Sequence, residues 1–166
     1  MKKYISGFCV FLLFSCMEEQ VMTSEAEKEL IKEIVTQETL AYMEKNYQKW
    51  SSFWNHSDEV LRLDISDSGF SQTRGWEKNG AHIETFFVEN PEPITSTFEN
   101  SNYLIFCDSE LAWAAFDQKW TTNSGDESLA KATVTLVKKS NDWEIISYTA
   151  IQYEPDAGEA NTLTRE

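Results

Sequence analysis

Residues 130–155, AKATVTLVKKSNDWEIISYTAIQYEP, decide the fold. Thr133, Val134, Thr135, Leu136 and Val137 form a mainly β-branched run, which suits a pleated, half-buried surface. Residues 138–142 (KKSND) interrupt it with turn chemistry. Trp143 opens a second strand. Strict alternation puts Trp143, Ile145, Ser147, Thr149 and Ile151 on one face and Ile146, Tyr148 and Ala150 on the other. Both faces then carry apolar side chains, whereas a sheet solvated on one face alternates apolar with polar. One face of the hairpin is therefore expected to cover the domain's own helices, and the other to meet a second chain or a loop.

Outward from the hairpin, residues 111–121 read as a strand with Trp113, Ala115 and Asp117 opposite Ala114, Phe116 and Trp120. Residues 94–107 read as a longer strand with a bulge near 100–102. A helix over 78–89 carries Ile83, Phe86 and Phe87 inward and is stopped by Asn90-Pro91-Glu92-Pro93. Short strands are expected at 60–64 and 70–74. A short helix over 47–54 starts at an Asn46 cap and docks through Trp50, Phe53 and Trp54. The first helix is expected to start at Thr23 or Ser24, with Glu25 and Glu27 favoured by the dipole of its first turn. Its apolar stripe is Leu30, Ile31, Ile34, Val35, Ala41 and Tyr42. Glu38 falls within that stripe, either at an edge where its carboxylate reaches solvent or a cation, or pointed into a cavity with a raised pKa.

The N-terminus reads as a targeting signal. Lys2 and Lys3 precede an apolar segment over 5–14 that is too short to span a bilayer. It ends in Leu13-Phe14-Ser15-Cys16, which resembles a bacterial lipobox, with Cys16 as the acylated residue; an ordinary secretory signal is the alternative. Residues 1–15 are thus expected as a lipoprotein signal peptide, 16–24 as a tether, 25–155 as one α+β domain and 156–166 as a disordered tail. Acyl chains at about 0.8 kcal/mol per buried CH₂ would anchor the protein in the cell envelope, at the outer membrane or cell surface. Cys9 leaves with the signal, so Cys107 is the one free thiol and no internal disulfide forms. It lies in an apolar strand and is expected as a core residue. Loss of Lys2 and Lys3 leaves 12 basic residues against 28 acidic ones, a net charge near −16, which repels nucleic acid and anionic lipid.

The element order, with Lys131-Ala132-Thr133-Val134-Thr135-Leu136-Val137-Lys138 followed by Asn141-Asp142-Trp143-Glu144-Ile145-Ile146, resembles the nuclear transport factor 2-like superfamily, nearest its SnoaL-like branch. The resemblance spans about 25–155. It implies a curved antiparallel sheet wrapped around three helices in a cone-shaped, cystatin-like roll, a conical pocket, and a homodimer through the outer sheet face. Many relatives carry a pocket-facing histidine four or six residues after the final Trp; here those positions are Ser147 and Thr149. The superfamily holds enzymes and binding modules alike, so fold does not give function.

Two functions follow. The favoured one is a lipid-anchored envelope domain that binds a small apolar or amphipathic molecule, or acts as an interaction module. Its aromatic lining would be Tyr42, Trp50, Trp54, Trp113, Phe116 and Trp143, which serve equally well as ordinary core. The alternative is an isomerase-, dehydratase- or hydrolase-type enzyme with Glu38 and Asp117 as acid and base, and Tyr42 or His56 assisting. Asp117 faces outward or is buried, because strand alternation allows both. His56 and His82 read as loop and helix-surface residues. Two histidines without close Cys or carboxylate spacing make no convincing zinc site, and neither a Gly-rich phosphate loop nor a Gly-x-Ser-x-Gly elbow is present, so no cofactor or metal is expected.

Overall fold

The computed structural model describes residues 15–140 and 142–154, with side chains from Glu25 onward. Three helices, α1 (Ser15–Met43), α2 (Tyr47–Ser51) and α3 (Trp76–Glu89), accompany six strands. The strands are β1 (Leu61–Ser66), β2 (Gly69–Arg74), β3 (Thr97–Cys107), β4 (Leu111–Thr121), β5 (Glu127–Lys139) and β6 (Asp142–Tyr153). They form one curved α+β sheet in the order β2-β1-β6-β5-β4-β3. The pairings are antiparallel except β1 with β6, which run parallel.

The first helix differs from expectation. It runs from Ser15, well upstream of Thr23, so the segment 16–24 is helical. Residues 15–43 contain no Gly or Pro, and Met, Glu, Gln and Ala there favour helix, so nothing local stops it. Residues 1–14 of the expected signal, the side chain of Cys16 and the tail at 156–166 lie outside the described residues. Among the described residues, no helix is long and apolar enough to cross a membrane.

The helices pack on the concave side of the sheet. Ile31, Val35 and Ala41 of α1, Trp50 and Trp54, Ile83 and Phe87 of α3, and Ala114, Phe116, Val134, Leu136 and Ile145 of the sheet form one buried cluster. Trp50 is the hub: its ring lies 5.4 Å from Trp54, 5.8 Å from Trp76 and 5.9 Å from Tyr47. Cys107 is half-buried against the cluster as a free thiol, and burial pushes it up from its ordinary pKa.

The faces of β6 depart from strict alternation. Leu136 pairs with Ile145 but Thr135 pairs with Ser147, so Ile146 is the extra residue of a bulge. Trp143, Ile145 and Tyr148 are consequently all buried on the concave side. Ser147 and Thr149 lie on the other face. The register beyond a bulge is shifted by one, and a one-residue shift exchanges the faces of everything after it.

Candidate functional site

At one end of the cone the sheet and α1 diverge and leave an open cleft of about 190 Å³. Helix α1 contributes Glu38, Thr39 and Tyr42, the first and last being one turn apart on one face. Strand β1 contributes Arg62 and Asp64, which alternation aims to the same side. The wall is completed by Gln118 and Trp120 of β4, Ser128 and Ala130 of β5, and Tyr148, Ala150 and Gln152 of β6.

Glu38 forms the floor and is 3 % exposed. Its Oε1 accepts hydrogen bonds from the indole Nε1 of Trp50 (2.6 Å) and of Trp54 (3.1 Å). Arg62 Nη1 stands 3.8 Å from the same oxygen. Oε2 has no partner among the described residues, yet it is not sealed from solvent, so it is the oxygen presented to the cleft. The two indoles are fixed by the chain that carries them. Asn55 N–H donates to Ile145 O (2.9 Å) and Ile145 N–H donates to Phe53 O (2.8 Å), which laces Trp54 onto the edge of β6.

Arg62 bridges the site. Its Nε donates to Asp64 Oδ2 (2.9 Å), and its guanidinium lies 5.7 Å from the Tyr42 ring and 5.3 Å from the Tyr148 ring. Burial raises the pKa of Glu38 above the ordinary carboxylate value, against the opposing pull of Arg62 and the two indole donors. Burial also raises Tyr42 and Tyr148, which keeps both phenols protonated. Arg62 is raised as well: burial works against its charge, but Asp64 and Glu38 outweigh it.

No family model matches the chain, and no curated protein is a significant match. Solved structures do resemble it. A nuclear transport factor 2-like protein with a cystatin-like fold from Novosphingobium aromaticivorans superimposes with a TM-score of 0.64 at 12% identity, covering 95% of this chain and 100% of that one. One of unknown function from Pseudomonas putida KT2440 gives 0.63 at 16% identity, over 81% and 92%. A superfamily protein from Salmonella enterica serovar Typhimurium LT2 gives 0.61 at 18% identity, over 82% and 98%. This is the nuclear transport factor 2-like fold.

Within that fold the predicted site residues separate. Glu38 and Tyr42 line the cleft. Asp117 does not: it lies on the convex face of the sheet, where it accepts from Asn102 Nδ2 (2.8 Å) and from Lys131 Nζ. Partial burial pushes the Asp117 carboxyl up, but those two hydrogen bonds prevail and its pKa is lowered. The pairing of Glu38 with Asp117 as acid and base is therefore not present, because β4 turns the two to opposite sides. Trp113 is also convex, 6.1 Å from Phe106. Phe116 is buried against Tyr103 at 4.9 Å. Trp143 donates from Nε1 to Glu27 Oε2 (2.5 Å), towards the start of α1. Of the six aromatic residues expected as lining, the cleft is lined by Tyr42, while Trp50 and Trp54 lie beneath and hold Glu38.

His56 stacks on Trp76 at 3.9 Å and His82 is exposed; neither lines the cleft. Ser147 and Thr149, the two positions at which the family resemblance leads one to expect a histidine, point away from the cleft, and the bulge presents Tyr148 instead. Among the described residues, no three His, Cys, Asp or Glu side chains converge as a metal site. Sequence reasoning missed Arg62, Asp64, Gln118, Trp120 and Tyr148. The usable signal was Arg62-Leu63-Asp64, two opposite charges on one face of a short strand.

Proposed function

We propose that this domain binds a small amphipathic molecule in the cleft, with Glu38 as its principal polar contact. The observation that carries the reading is the unpartnered Oε2 of a buried carboxyl group whose other oxygen is held by two indoles. Oε2 opens on the cleft while its twin is held in place by the two indoles, so it is a polar group positioned to orient a ligand. Leu129, Ala130, Ala150 and Trp120 supply apolar contact around it, and Gln118, Gln152 and Ser128 supply hydrogen-bonding groups. Native mass spectrometry of the protein purified without added ligand tests this. A discrete extra mass that disappears in Ala150→Leu, a plug in the cleft wall, supports it. An unliganded wild type, with no stabilisation by any member of a diverse small-molecule set, overturns it.

A second reading uses the same oxygen for proton transfer. Burial raises the pKa of Glu38, which is the direction that favours a carboxyl group able to hold and donate a proton. Conversion of the bound molecule, abolished in Glu38→Gln while binding persists, separates an enzyme from a binding module.

We propose further that Cys16 is acylated and holds the domain on the envelope surface. Support comes from the Leu13-Phe14-Ser15-Cys16 sequence behind Lys2 and Lys3. Metabolic labelling with a fatty-acid analogue should mark the wild type and not Cys16→Ser.

A further inference from the structure

We propose that the ligand of this cleft carries an ammonium group, which docks on the free oxygen of Glu38 between aromatic walls. The inference rests on the binding reading above and names the ligand's charge class.

The first support is what the cleft lacks. Arg62 is the one cation among its lining residues, and its charge is already committed. Its guanidinium faces Asp64 through Nε (2.9 Å) and Nη2 (3.5 Å), approaches Glu38 through Nη1 (3.8 Å), and is sandwiched by Tyr42 and Tyr148. Its side chain is 15 % exposed. Its positive charge already faces two carboxyl groups, which weakens its pull on an anionic ligand.

The second support is what the cleft offers. Two further grooves share Gln152 with it and add Asp67 and Glu154, with no further Lys or Arg. An acidic lining alone would be only a solvated surface. Here it leads to Glu38, a residue 3 % exposed whose Oε2 accepts no hydrogen bond from the described residues and opens on the cleft. Tyr42 and Trp120 stand beside that oxygen's cleft, and the face of an aromatic ring attracts a cation. The chain's net charge of −14 also concentrates cations near the opening.

An ammonium ligand couples binding to protonation. The groups facing Glu38 are Tyr42 on its own helix, Trp50 and Trp54 from the α2 region, Arg62 and Asp64 on β1, and Tyr148 on β6. Burial favours the protonated acid in the empty cleft. An arriving ammonium favours the carboxylate, so the acid proton leaves to solvent as the ligand binds. Affinity for an amine therefore rises with pH through the range in which Glu38 ionises, while the amine itself stays protonated.

The test uses three probes with one four-carbon stem: butylamine, butanol and butyrate. Each is titrated into the full chain while the indole N–H resonances of Trp50 and Trp54 are followed by NMR, since both donate to Glu38. Butylamine is expected to move both resonances, to bind about ten-fold tighter than butanol, and to tighten as pH rises. Glu38→Gln should lose about that ten-fold preference. The wild-type pH dependence stands on its own if the variant folds poorly. Butyrate binding as well as butylamine, or an amine affinity flat with pH, overturns the ammonium assignment while leaving a ligand cleft in place. Silence of both indoles towards butylamine also overturns it, and the search for a co-purifying mass then judges the binding reading separately.

Discussion

Two glutamates on α1, eleven residues apart, do opposite things. Glu27 lies near the start of the described side chains, where Lys138 Nζ (2.6 Å) and Trp143 Nε1 (2.5 Å) both donate to it. Those two hydrogen bonds hold its pKa below the ordinary carboxylate value. Its ionised form is stabilised by folding, so its contribution is present at neutral pH and is lost as pH falls through the folded pKa. Glu27→Gln should cost about 1–2 kcal/mol at pH 7 in a denaturant melt, and the difference from wild type should close in acid. Glu38 has the reverse sign. Burial raises its folded pKa above an unfolded value near 4.5, so the folded state holds the proton more tightly. Its favourable contribution is complete below 4.5 and declines as pH rises through the folded value. Glu38→Gln removes that decline and keeps an oxygen for the indoles, so the variant should gain stability relative to wild type as pH rises above 4.5. Glu38→Ala strands two buried indole N–H groups and should cost about 2–4 kcal/mol at any pH. A constant gap between wild type and Glu38→Gln as pH rises would show that burial does not control this carboxyl.

At the scale of elements, the site depends on how α2 and α3 pack beneath α1. Gly80 of α3 is where that packing is tightest. A Cβ there would stand 2.8 Å from the Tyr47 hydroxyl and 3.3 Å from the Trp76 ring. Alanine gains about 1 kcal/mol of helix propensity over glycine, but overpacking costs about 1–3 kcal/mol. Tyr47 meets that Cβ with the far end of its side chain, which can shift. The Trp76 ring is clamped between His56 (3.9 Å) and Trp50 (5.8 Å) and cannot, so overpacking wins. Gly80→Ala should lower the melting temperature, and Tyr47→Phe in the same chain should recover none of the loss; a recovery would place the clash at the Tyr47 hydroxyl instead of the Trp76 ring. Elements of this kind are legible in the sequence because each is signalled locally: the hairpin by β-branched runs around KKSND, α3 by its stop at Pro91, β3 by its length and bulge. What depends on pairing is not legible. The bulge at Ile146 exists only relative to β5, and it decides that Tyr148 enters the cleft while Ser147 and Thr149 do not. Arg62 and Asp64 belong to the site because β1 docks parallel to β6, a contact between residues more than eighty positions apart. Glu38 is legible as a charge in an apolar stripe. Asp117 looks the same in an apolar strand, and only the direction in which the sheet curves separates them.

At the scale of the whole molecule, the convex face of the sheet remains to be accounted for. Leu104 is 53 % exposed, Phe106 63 % and Leu111 47 %, with Trp113 and Val137 beside them at the end of the sheet carrying the β3–β4 turn. Ile151 and Phe70 are exposed towards the other edge. We propose that two copies associate through this face, as the two apolar sides of the hairpin suggest. A stable pair needs about 800 Å² per partner, so the contact would have to extend beyond the Phe106 corner across the face. Each copy carries a net charge of −14, so the copies repel at long range while the apolar contact attracts at short range. The two forces respond differently to salt: screening weakens the repulsion and leaves the contact, so the dimer should tighten as ionic strength rises. Sedimentation equilibrium is expected to show a dimer whose dissociation constant falls between low and physiological salt. Phe106→Glu should give a monomer at both that stays folded, because the side chain is exposed in the single chain. A wild type that stays monomeric in high salt would assign the convex face to a different protein, and an intact dimer in Phe106→Glu would move the contact away from this corner of the sheet.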